Sequence, residues 1–316
     1  MADIDGVKKS KEFYTDIPQE VPKFFLKGSH QYDWGLQNRL AKVFNPKSGR
    51  TIMLAFDHGY FMGPTTGLER VDQTILPLEP HCDCLMLTRG IQRSIIPAST
   101  QKAIALRASG GTSMISTGDD WEGSLGDDVF KMSRPGYEPL SNEHLAVNIE
   151  EAIRLNASVL AVQVFIGSQY ERQSLQNLTN IIDQANRYGI AVMGVTAVGR
   201  AMARTPDYFR HATRIMAELG CHLVKCYHTD EKFETVTSCC PVPIVIAGGK
   251  KRPERDALQM AYEACEQGAS GVDMGRNIFQ ADAPVPMMKA VRGVVHEGMK
   301  PAEAFELYNT LKAEIN

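Results

Sequence analysis

Residues 175–197 read LQNLTNIIDQANRYGIAVMGVTA and contain one complete helix–turn–strand unit. Gly189 follows the helical part, at the position where a left-handed C-cap favours glycine. The run Ile190–Ala197 is apolar throughout, which is typical of a parallel strand buried on both faces. The helical part carries its apolar residues on one face: Leu175, Leu178, Ile181, Ile182 and Ala185. This unit predicts an α/β protein in which helices pack on a parallel sheet.

The same unit recurs along the chain. One amphipathic segment ends at Gly220 and bears Phe209, Ala212, Ile215, Met216 and Leu219 on its apolar face. Another begins after Pro253, ends at Gly268 and bears Ala257, Met260, Ala261 and Ala264. Eight apolar runs are predicted to be strands: Thr51–Phe56, Asp83–Thr88, Ala103–Arg107, Ser158–Phe165, Ile190–Ala197, His222–Tyr227, Val242–Ala247 and Gly271–Gly275. Strands alternating with helices over roughly 250 residues predict a (β/α)8 TIM barrel.

An open, doubly wound sheet is the alternative architecture. It would carry a glycine-rich dinucleotide-binding turn after its first strand. The first predicted strand instead ends in Ala55-Phe56-Asp57-His58-Gly59-Tyr60, which lacks that pattern. The barrel is therefore the preferred interpretation.

Two segments lie outside the regular alternation. Residues 1–50 are predicted to be an N-terminal extension, followed by a single catalytic barrel domain at residues 51–316. The extension contains a predicted short helix that would close the bottom of the barrel with Trp34, Leu36, Leu40, Val43 and Phe44. The second segment is an insertion after the third strand, centred on residues 116–139. Long loops of this kind are lids, binding loops or disordered segments, and all three interpretations stay open.

Composition limits the classes of function. The chain has 316 residues, 43% of them apolar, and a formal net charge of −3. No long basic run is present, which argues against a nucleic-acid partner. The seven cysteines are an odd number, which indicates reduced thiols and a cytoplasmic protein rather than a disulfide framework. Neither a signal-peptide core nor an apolar run of membrane-spanning length occurs, so we expect no membrane association.

Lys225 is the first candidate for catalysis, because it lies inside the apolar run Cys221–Tyr227. An amine taken out of water loses its charge more easily and becomes a nucleophile. Side chains alternate along a strand, so Leu223, Lys225 and Tyr227 share one face. If that face lines the inside of a barrel, Lys225 is a candidate for Schiff-base formation. The alternative is a lysine that extends to solvent from the end of the strand.

Other polar residues follow the predicted strands on the face where barrel active sites form. Asp57 and His58 end the first strand and could move protons beside an amine, although a turn aspartate and a surface histidine would look the same. The seventh and eighth strands end in Gly248-Gly249-Lys250 and Gly275-Arg276. The loops after these two strands commonly hold a phosphate in this fold, so Gly248, Gly249 and Gly275 are predicted to bind one through their backbone, with Lys250 or Arg276 adding charge.

The sequence does not favour a metal site. His81-Cys82-Asp83-Cys84 and Cys239-Cys240 contain residue types that bind metals, but neither has a second half at zinc spacing. Cys226 is next to Lys225, and strand alternation should turn it toward the helices, where it would be a core residue.

Several long strings resemble the DeoC/FbaB family of class I aldolases. They are NPK at 45–47, LAFDHGY at 54–60, GPTTGLER at 63–70, QVFIGS at 163–168, PIVIAGGKK at 243–251 and GVDMGRNIFQ at 271–280, together with Lys225 in its strand. The resemblance covers nearly the whole chain. It implies a barrel with Lys225 as the Schiff-base lysine, Asp57 near that amine, and a substrate phosphate on the two glycine turns. It also implies a homo-oligomer, which in this family is often a decamer.

Two departures from the family bear on the reaction. Many of these aldolases end the fifth strand in Tyr-Pro-Arg, whereas this chain reads Ala197-Val198-Gly199-Arg200. That segment resembles the acetyl-transferring branch of the family, whose substrate is a phosphorylated pentanedione from autoinducer-2 degradation. This resemblance implies coenzyme A as co-substrate and no tightly bound cofactor. The extra length at 116–139 is expected to be missing from that branch. A phosphoketose aldolase, such as a fructose-bisphosphate aldolase, and a non-catalytic phosphometabolite-binding barrel are the alternatives.

Overall fold

The computed structural model describes residues 13–22, 24–111, 143–198 and 204–315. The insertion at 116–139, the start of the N-terminal extension and the pair Gly199-Arg200 lie outside these ranges. What the insertion does therefore stays a prediction, as does the domain boundary at residue 50.

Eight parallel strands close into a barrel, as the sequence predicts. The strand bounds are β1 Thr51–Ala55, β2 Cys84–Leu87, β3 Ala103–Arg107, β4 Ser109–Gly110, β5 His144–Leu145, β6 Val159–Val164, β7 Ala191–Thr196, β8 Leu223–Tyr227, β9 Ile244–Ala247 and β10 Gly271–Met274. Around the barrel the strand order is β1-β10-β9-β8-β7-β6-β3-β2. The strands β4 and β5, on either side of the insertion, form a separate antiparallel pair.

Helices surround the barrel and follow its strands. Gly189 adopts a φ of 62° after the longest of them, which confirms the predicted left-handed cap. The helix bounds are α1 Trp34–Val43, α2 Gly59–Met62, α3 Val71–Thr74, α4 Arg89–Ile95, α5 Ile149–Arg154, α6 Glu171–Arg187, α7 Pro206–Glu218, α8 Phe233–Cys239, α9 Glu254–Glu266, α10 Arg276–Phe279, α11 Pro284–Glu297 and α12 Pro301–Ala313. A short 3-10 helix spans Glu79–His81. Within the described ranges, none of the helices has the length and apolarity needed to cross a bilayer.

The apolar core has two layers, one between helices and strands and one inside the barrel. Helix α1 belongs to the inner layer, where Leu36, Leu40, Val43 and Phe44 pack against the first residues of several strands. This confirms the predicted plug at the bottom of the barrel. Trp34 departs from that prediction, because its side chain is 79% exposed. It is the first residue of α1 and points away from the stripe that the other four form.

Candidate active site

Lys225 lies inside the barrel. It pairs in register with Val195 of β7 and Val245 of β9, both of which belong to the inner core. Its ammonium nitrogen Nζ is 2.9 Å from Oδ2 of Asp273 on β10 and 3.4 Å from the sulfur of Met86 on β2. A charged amine in an apolar barrel would be costly without such a partner, so the carboxylate stabilises it there.

Asp273 is almost completely buried. Burial raises the pKa of its carboxyl to about 6, although Lys225 opposes the rise by favouring the charged form. The two groups are close enough for an ion pair, yet neither carboxylate oxygen has a well-oriented hydrogen-bond donor within the described part of the chain. The carboxylate therefore has free lone pairs that face the Lys225 amine. An acid whose pKa lies near neutrality, next to an amine, can exchange a proton with it.

Asp57 lies at the end of β1 and is held by Arg107 at the end of β3. The Nη1 atom of Arg107 donates to Oδ2 of Asp57 over 2.9 Å, and both side chains are buried. Burial alone would raise the pKa of Asp57, but Arg107, His58 and Lys225 outweigh burial and lower it. Asp57 is therefore a carboxylate at neutral pH.

Arg107 also binds Glu143, which follows the insertion. Its Nη2 atom donates to Oε1 of Glu143 over 2.7 Å and to the side-chain carbonyl of Gln163 on β6. Ser109 completes the cluster by donating from its hydroxyl to Oε2 of Glu143 over 2.6 Å. Burial raises the pKa of Glu143 despite Arg107. One guanidinium thus links the end of the insertion to the Asp57 carboxylate.

His58 is beside Asp57 at the start of α2. Its Nδ1 atom is 3.9 Å from Oδ1 of Asp57, too far for a hydrogen bond, and this buried nitrogen has no partner within the described residues. Burial lowers the pKa of His58 to about 4, so the imidazole is neutral at pH 7. The rings of Phe61 and Phe279 flank it. A neutral imidazole can accept or relay a proton, but it carries no charge with which to hold an anion.

The two glycine turns lie side by side at the ends of β9 and β10. Asn277 joins them, because its Nδ2 atom donates to the carbonyl of Gly248 over 2.6 Å. At Gly275 only glycine fits: a Cβ there would lie 2.1 Å from the carbonyl oxygen of Ala55 and 2.9 Å from Cε1 of His58. The backbone at this turn therefore approaches His58 closely. The predicted phosphate site and the predicted acid–base residues are neighbours.

Two arginines add positive charge near these turns. Arg276 follows Gly275, and its Nε atom is buried without a hydrogen-bond partner in the described ranges. Burial lowers the pKa of Arg276, and the nearby Arg204 lowers it further. Arg204 stacks on Tyr227, with its guanidinium carbon 4.2 Å from the ring centroid. Two guanidinium groups that face the same region suit a dianionic phosphate.

The cysteines have packing roles. All seven are free thiols, as predicted. Cys226 packs in the helix layer and is fully buried, which confirms its predicted orientation.

The segment His81–Cys84 contains residue types that bind metals, but Asp83 accepts from Nε2 of His296 over 2.8 Å and from the backbone of Ile52 over 2.7 Å. No set of three or more potential metal ligands comes together among the residues that the structure describes.

The sequence reasoning missed Asp273, Arg107, Gln163, Ser109 and Glu143. Asp273 and Gln163 interrupt a predicted apolar strand and Arg107 ends one; a polar side chain in such a run is the signal that selected Lys225. Glu143 gives no such signal, since it lies at the edge of an irregular segment.

The fold agrees with comparisons to known proteins. A family model described as DeoC/LacD family aldolase matches residues 51–281. The chain belongs to the DeoC/LacD aldolase family. Among its aldolase-family relatives, an uncharacterised aldolase of Pasteurella multocida is 54% identical over 308 residues, which is 98% of this chain and 99% of that one. A protein of Yersinia pseudotuberculosis named 3-hydroxy-5-phosphonooxypentane-2,4-dione thiolase is 52% identical over 98% of both chains.

Solved structures of aldolases share the barrel. An archaeal fructose 1,6-bisphosphate aldolase superposes with a TM-score of 0.70 at 25% identity and covers 83% of this chain and 100% of its own. A second archaeal structure, with a TM-score of 0.69 and 25% identity over 83% of this chain and 99% of its own, has its catalytic lysine covalently bound to a carbinolamine intermediate.

The alignment with the thiolase corrects one expectation about the insertion. The two chains match over 308 residues, and this covers 98% of each. They therefore agree in length, and the prediction that residues 116–139 have no counterpart in that branch of the aldolase family is wrong.

Proposed function

We propose that this protein is a thiolase built on the class I aldolase barrel. It would transfer an acetyl group from 3-hydroxy-5-phosphonooxypentane-2,4-dione to coenzyme A and release dihydroxyacetone phosphate and acetyl-CoA. The observation that carries the proposal is the buried Lys225 amine, 2.9 Å from the Asp273 carboxylate inside a barrel. The 52% identity to proteins named for this activity supports the choice of substrate. A phosphorylated substrate and coenzyme A, together with seven free thiols, suit a cytoplasmic enzyme.

The substrate phosphate would bind first, at Gly248, Gly249, Gly275 and Arg276, with Arg204 as a second cation. This would place the ketone carbon nearest the phosphate at Lys225. For the lysine nitrogen to attack that carbon, the amine must be neutral, and Asp273 is positioned to take its proton. Loss of water then forms an imine that joins the lysine to the substrate.

Cleavage would follow when the thiol of coenzyme A attacks the other ketone, in the acetyl group. The new carbon–sulfur bond forms, and the carbon–carbon bond between the acetyl carbonyl and the hydroxyl-bearing carbon breaks. Its electron pair moves toward the nitrogen of the imine, which must be protonated at this stage, and gives a neutral enamine. Protonation of the hydroxyl-bearing carbon and hydrolysis by water then release dihydroxyacetone phosphate and free Lys225. Asp57 and His58 are the groups that would carry these protons.

The cysteines support direct transfer to coenzyme A rather than an acyl-cysteine intermediate. Cys84 is the thiol whose side chain packs in the inner core, and burial raises its pKa well above the ordinary value. Burial also raises the pKa of Cys82 to about 12. Because the thiolate is the nucleophile, such cysteines react poorly. The thiol that accepts the acetyl group would therefore belong to coenzyme A itself.

The test is to incubate the protein with the phosphorylated dione, with and without coenzyme A, and to measure acetyl-CoA. We expect acetyl-CoA only when both are present. Borohydride should trap the ketone phosphate on Lys225, and peptide mapping should find no adduct on the exposed Lys250. A Lys225→Met variant should lose both product and adduct, with Lys250→Met as the matched control. Absence of acetyl-CoA under all conditions would refute the thiolase proposal.

A phosphoketose aldolase is the second candidate, and the shared barrel of the archaeal fructose 1,6-bisphosphate aldolases favours it. It would also use an imine at Lys225 but would need no coenzyme A. At the end of β7, Ala197 occupies the position where many of those enzymes carry tyrosine. Release of dihydroxyacetone phosphate from fructose 1,6-bisphosphate at enzymatic rates, without coenzyme A, would favour this candidate.

A further inference from the structure

Two cavities border helix α4, which follows β2. The inner cleft has a volume of about 360 Å3, and Gly90 and Ile91 form part of its wall. The outer cavity has a volume of about 610 Å3, and Arg89 and Arg93 line it together with Asn148 and Gln184. A ligand with an apolar arm and a charged head could therefore extend across α4 from one cavity to the other.

The inner cleft reaches Asp57, one of the proposed acid–base residues. Its wall is mainly apolar, with Phe56, Leu68, Val71 and Ile91, and its polar residues include Asp57 and Tyr60. The predicted phosphate turns lie at the ends of β9 and β10, and Lys225 lies on β8. Asp57 follows β1, which pairs with β10, so the inner cleft borders the side of the barrel that carries Asp273 and the Gly275 turn. A thiol in this cleft would approach the substrate from the β1 side.

The outer cavity carries an available positive charge. Arg93 forms an ion pair with Glu151, so part of its charge is already compensated. Arg89 is exposed and has no ion-pair partner within the described ranges. Arg89 lines the outer cavity and the next residue, Gly90, lines the inner cleft, so this arginine lies where the two cavities approach each other. A guanidinium at this junction suits a phosphate group.

We infer that coenzyme A enters across α4, with its pantetheine arm in the inner cleft and its phosphates at Arg89. An uncharged amide chain fits the apolar wall, and the terminal thiol would reach the acetyl carbonyl beside Asp57. This inference rests on the proposed thiolase function, because an aldolase has no second substrate of this kind.

The experiment compares coenzyme A with pantetheine, which carries the same thiol arm but no phosphate. Arg89→Gln should raise the KM for coenzyme A about tenfold, the loss expected for one charge-assisted contact, and leave the KM for pantetheine unchanged. Arg255→Gln, which removes an exposed arginine from the outer helix α9, is the matched control and should change neither value. An unchanged KM for coenzyme A in Arg89→Gln would overturn the inference.

A second variant tests the inner cleft. Ile91→Trp should fill the cleft and lower kcat/KM for both thiols, while borohydride still traps the ketone phosphate on Lys225. Loss of the trapped adduct as well would mean that the cleft serves the phosphorylated substrate, and this would overturn the assignment. The wild-type protein separates the two proposals. If it makes no acetyl-CoA, both proposals fail. If it makes acetyl-CoA and Arg89→Gln does not change the KM for coenzyme A, only the proposed coenzyme A site is refuted.

Discussion

At the scale of single residues, the site depends on buried charges that compensate one another. Lys225 faces Asp273, and Arg107 lies between Asp57 and Glu143. A buried charge without a partner costs several kcal/mol, so each of these groups is tolerated because the tertiary structure provides its opposite. The pairs also set which groups carry protons at neutral pH.

Asp273 should control the acidic limb of the pH–rate profile. Burial raises the pKa of Asp273 to about 6. As the pH drops through 6, the carboxylate takes up a proton and the rate should fall. Asp273→Asn should lower kcat by about 10²–10⁴-fold and remove this limb. Any remaining limb should lie nearer 4, the pKa of His58. Asp282→Asn, which changes an exposed aspartate, is the control and should leave the pH–rate profile unchanged. An unchanged acidic limb in Asp273→Asn would exclude Asp273 as the origin of that limb.

Arg107 should hold the site together. Arg107→Met leaves the buried Asp57 and Glu143 carboxylates without their guanidinium partner, and we expect a loss of about 3–5 kcal/mol in the free energy of unfolding at pH 7. Adding Glu143→Gln should restore part of that loss, because one uncompensated carboxylate disappears.

The stability effect of Arg107→Met should depend on pH. The pKa of Asp57 is lowered in the folded protein, so its stabilising contribution is present above the unfolded value and is lost at lower pH. The difference between wild type and Arg107→Met should therefore shrink below about pH 4. Urea unfolding at pH 7 and at about pH 3 measures this, and an equal loss at both would contradict the electrostatic explanation.

At the scale of elements, α1 matters because it completes the inner core. Its residues Leu40, Val43 and Phe44 are fully buried, and the strand residues in the same core layer are far from them in the sequence. Asp33 fixes where the helix starts, since Oδ1 of this residue accepts from the backbone of Leu36 over 2.9 Å. The helix is thus part of the barrel's packing, although it precedes the first strand.

Truncation of the plug should destabilise the whole barrel. Leu40→Ala should lower the free energy of unfolding by about 2–5 kcal/mol, because it leaves a cavity in a closed core. Ile153→Ala on α5, whose side chain is 45% exposed, should cost less than about 0.5 kcal/mol. Chemical denaturation of both variants is the measurement. A loss at Leu40 no larger than at Ile153 would show that α1 does not share the core.

At the scale of the whole molecule, the N-terminal arm exposes many apolar side chains. The arm comprises residues 13–34 without residue 23. Its large exposed side chains are Phe13, Tyr14, Ile17, Val21, Phe25 and Trp34. An apolar surface of this kind is typical of a protein–protein contact. A second copy of the chain is the partner that the aldolase family resemblance implies.

We therefore expect the arm to mediate self-association. The double variant Phe25→Ser and Trp34→Ser should shift the protein toward a smaller assembly, because both side chains are more than 70% exposed and lose their apolar area without disturbing the core. Light scattering coupled to gel filtration measures the mass. Ile315→Ser, at an exposed residue near the other terminus, is the control. An unchanged mass in the double variant would assign the interface to another surface.

The order of strands and helices followed from the sequence alone. Runs such as Ile190–Ala197 differ from the observed strands by only one or two residues at each end. This worked because parallel strands buried on both faces must be apolar throughout, and the helices between them must show one apolar face. The same reasoning identified Lys225, since a charge within such a run stands out.

The partners of the charged residues were decided by the tertiary structure. Asp273 is 48 residues from Lys225 in the chain, yet barrel closure brings their charged atoms to 2.9 Å. Glu143 meets Arg107 only because β4 and β5 pair at the ends of the insertion. Local spacing determines helices and strands, whereas the contacts that stabilise or shift a buried charge depend on which strands become neighbours when the barrel closes.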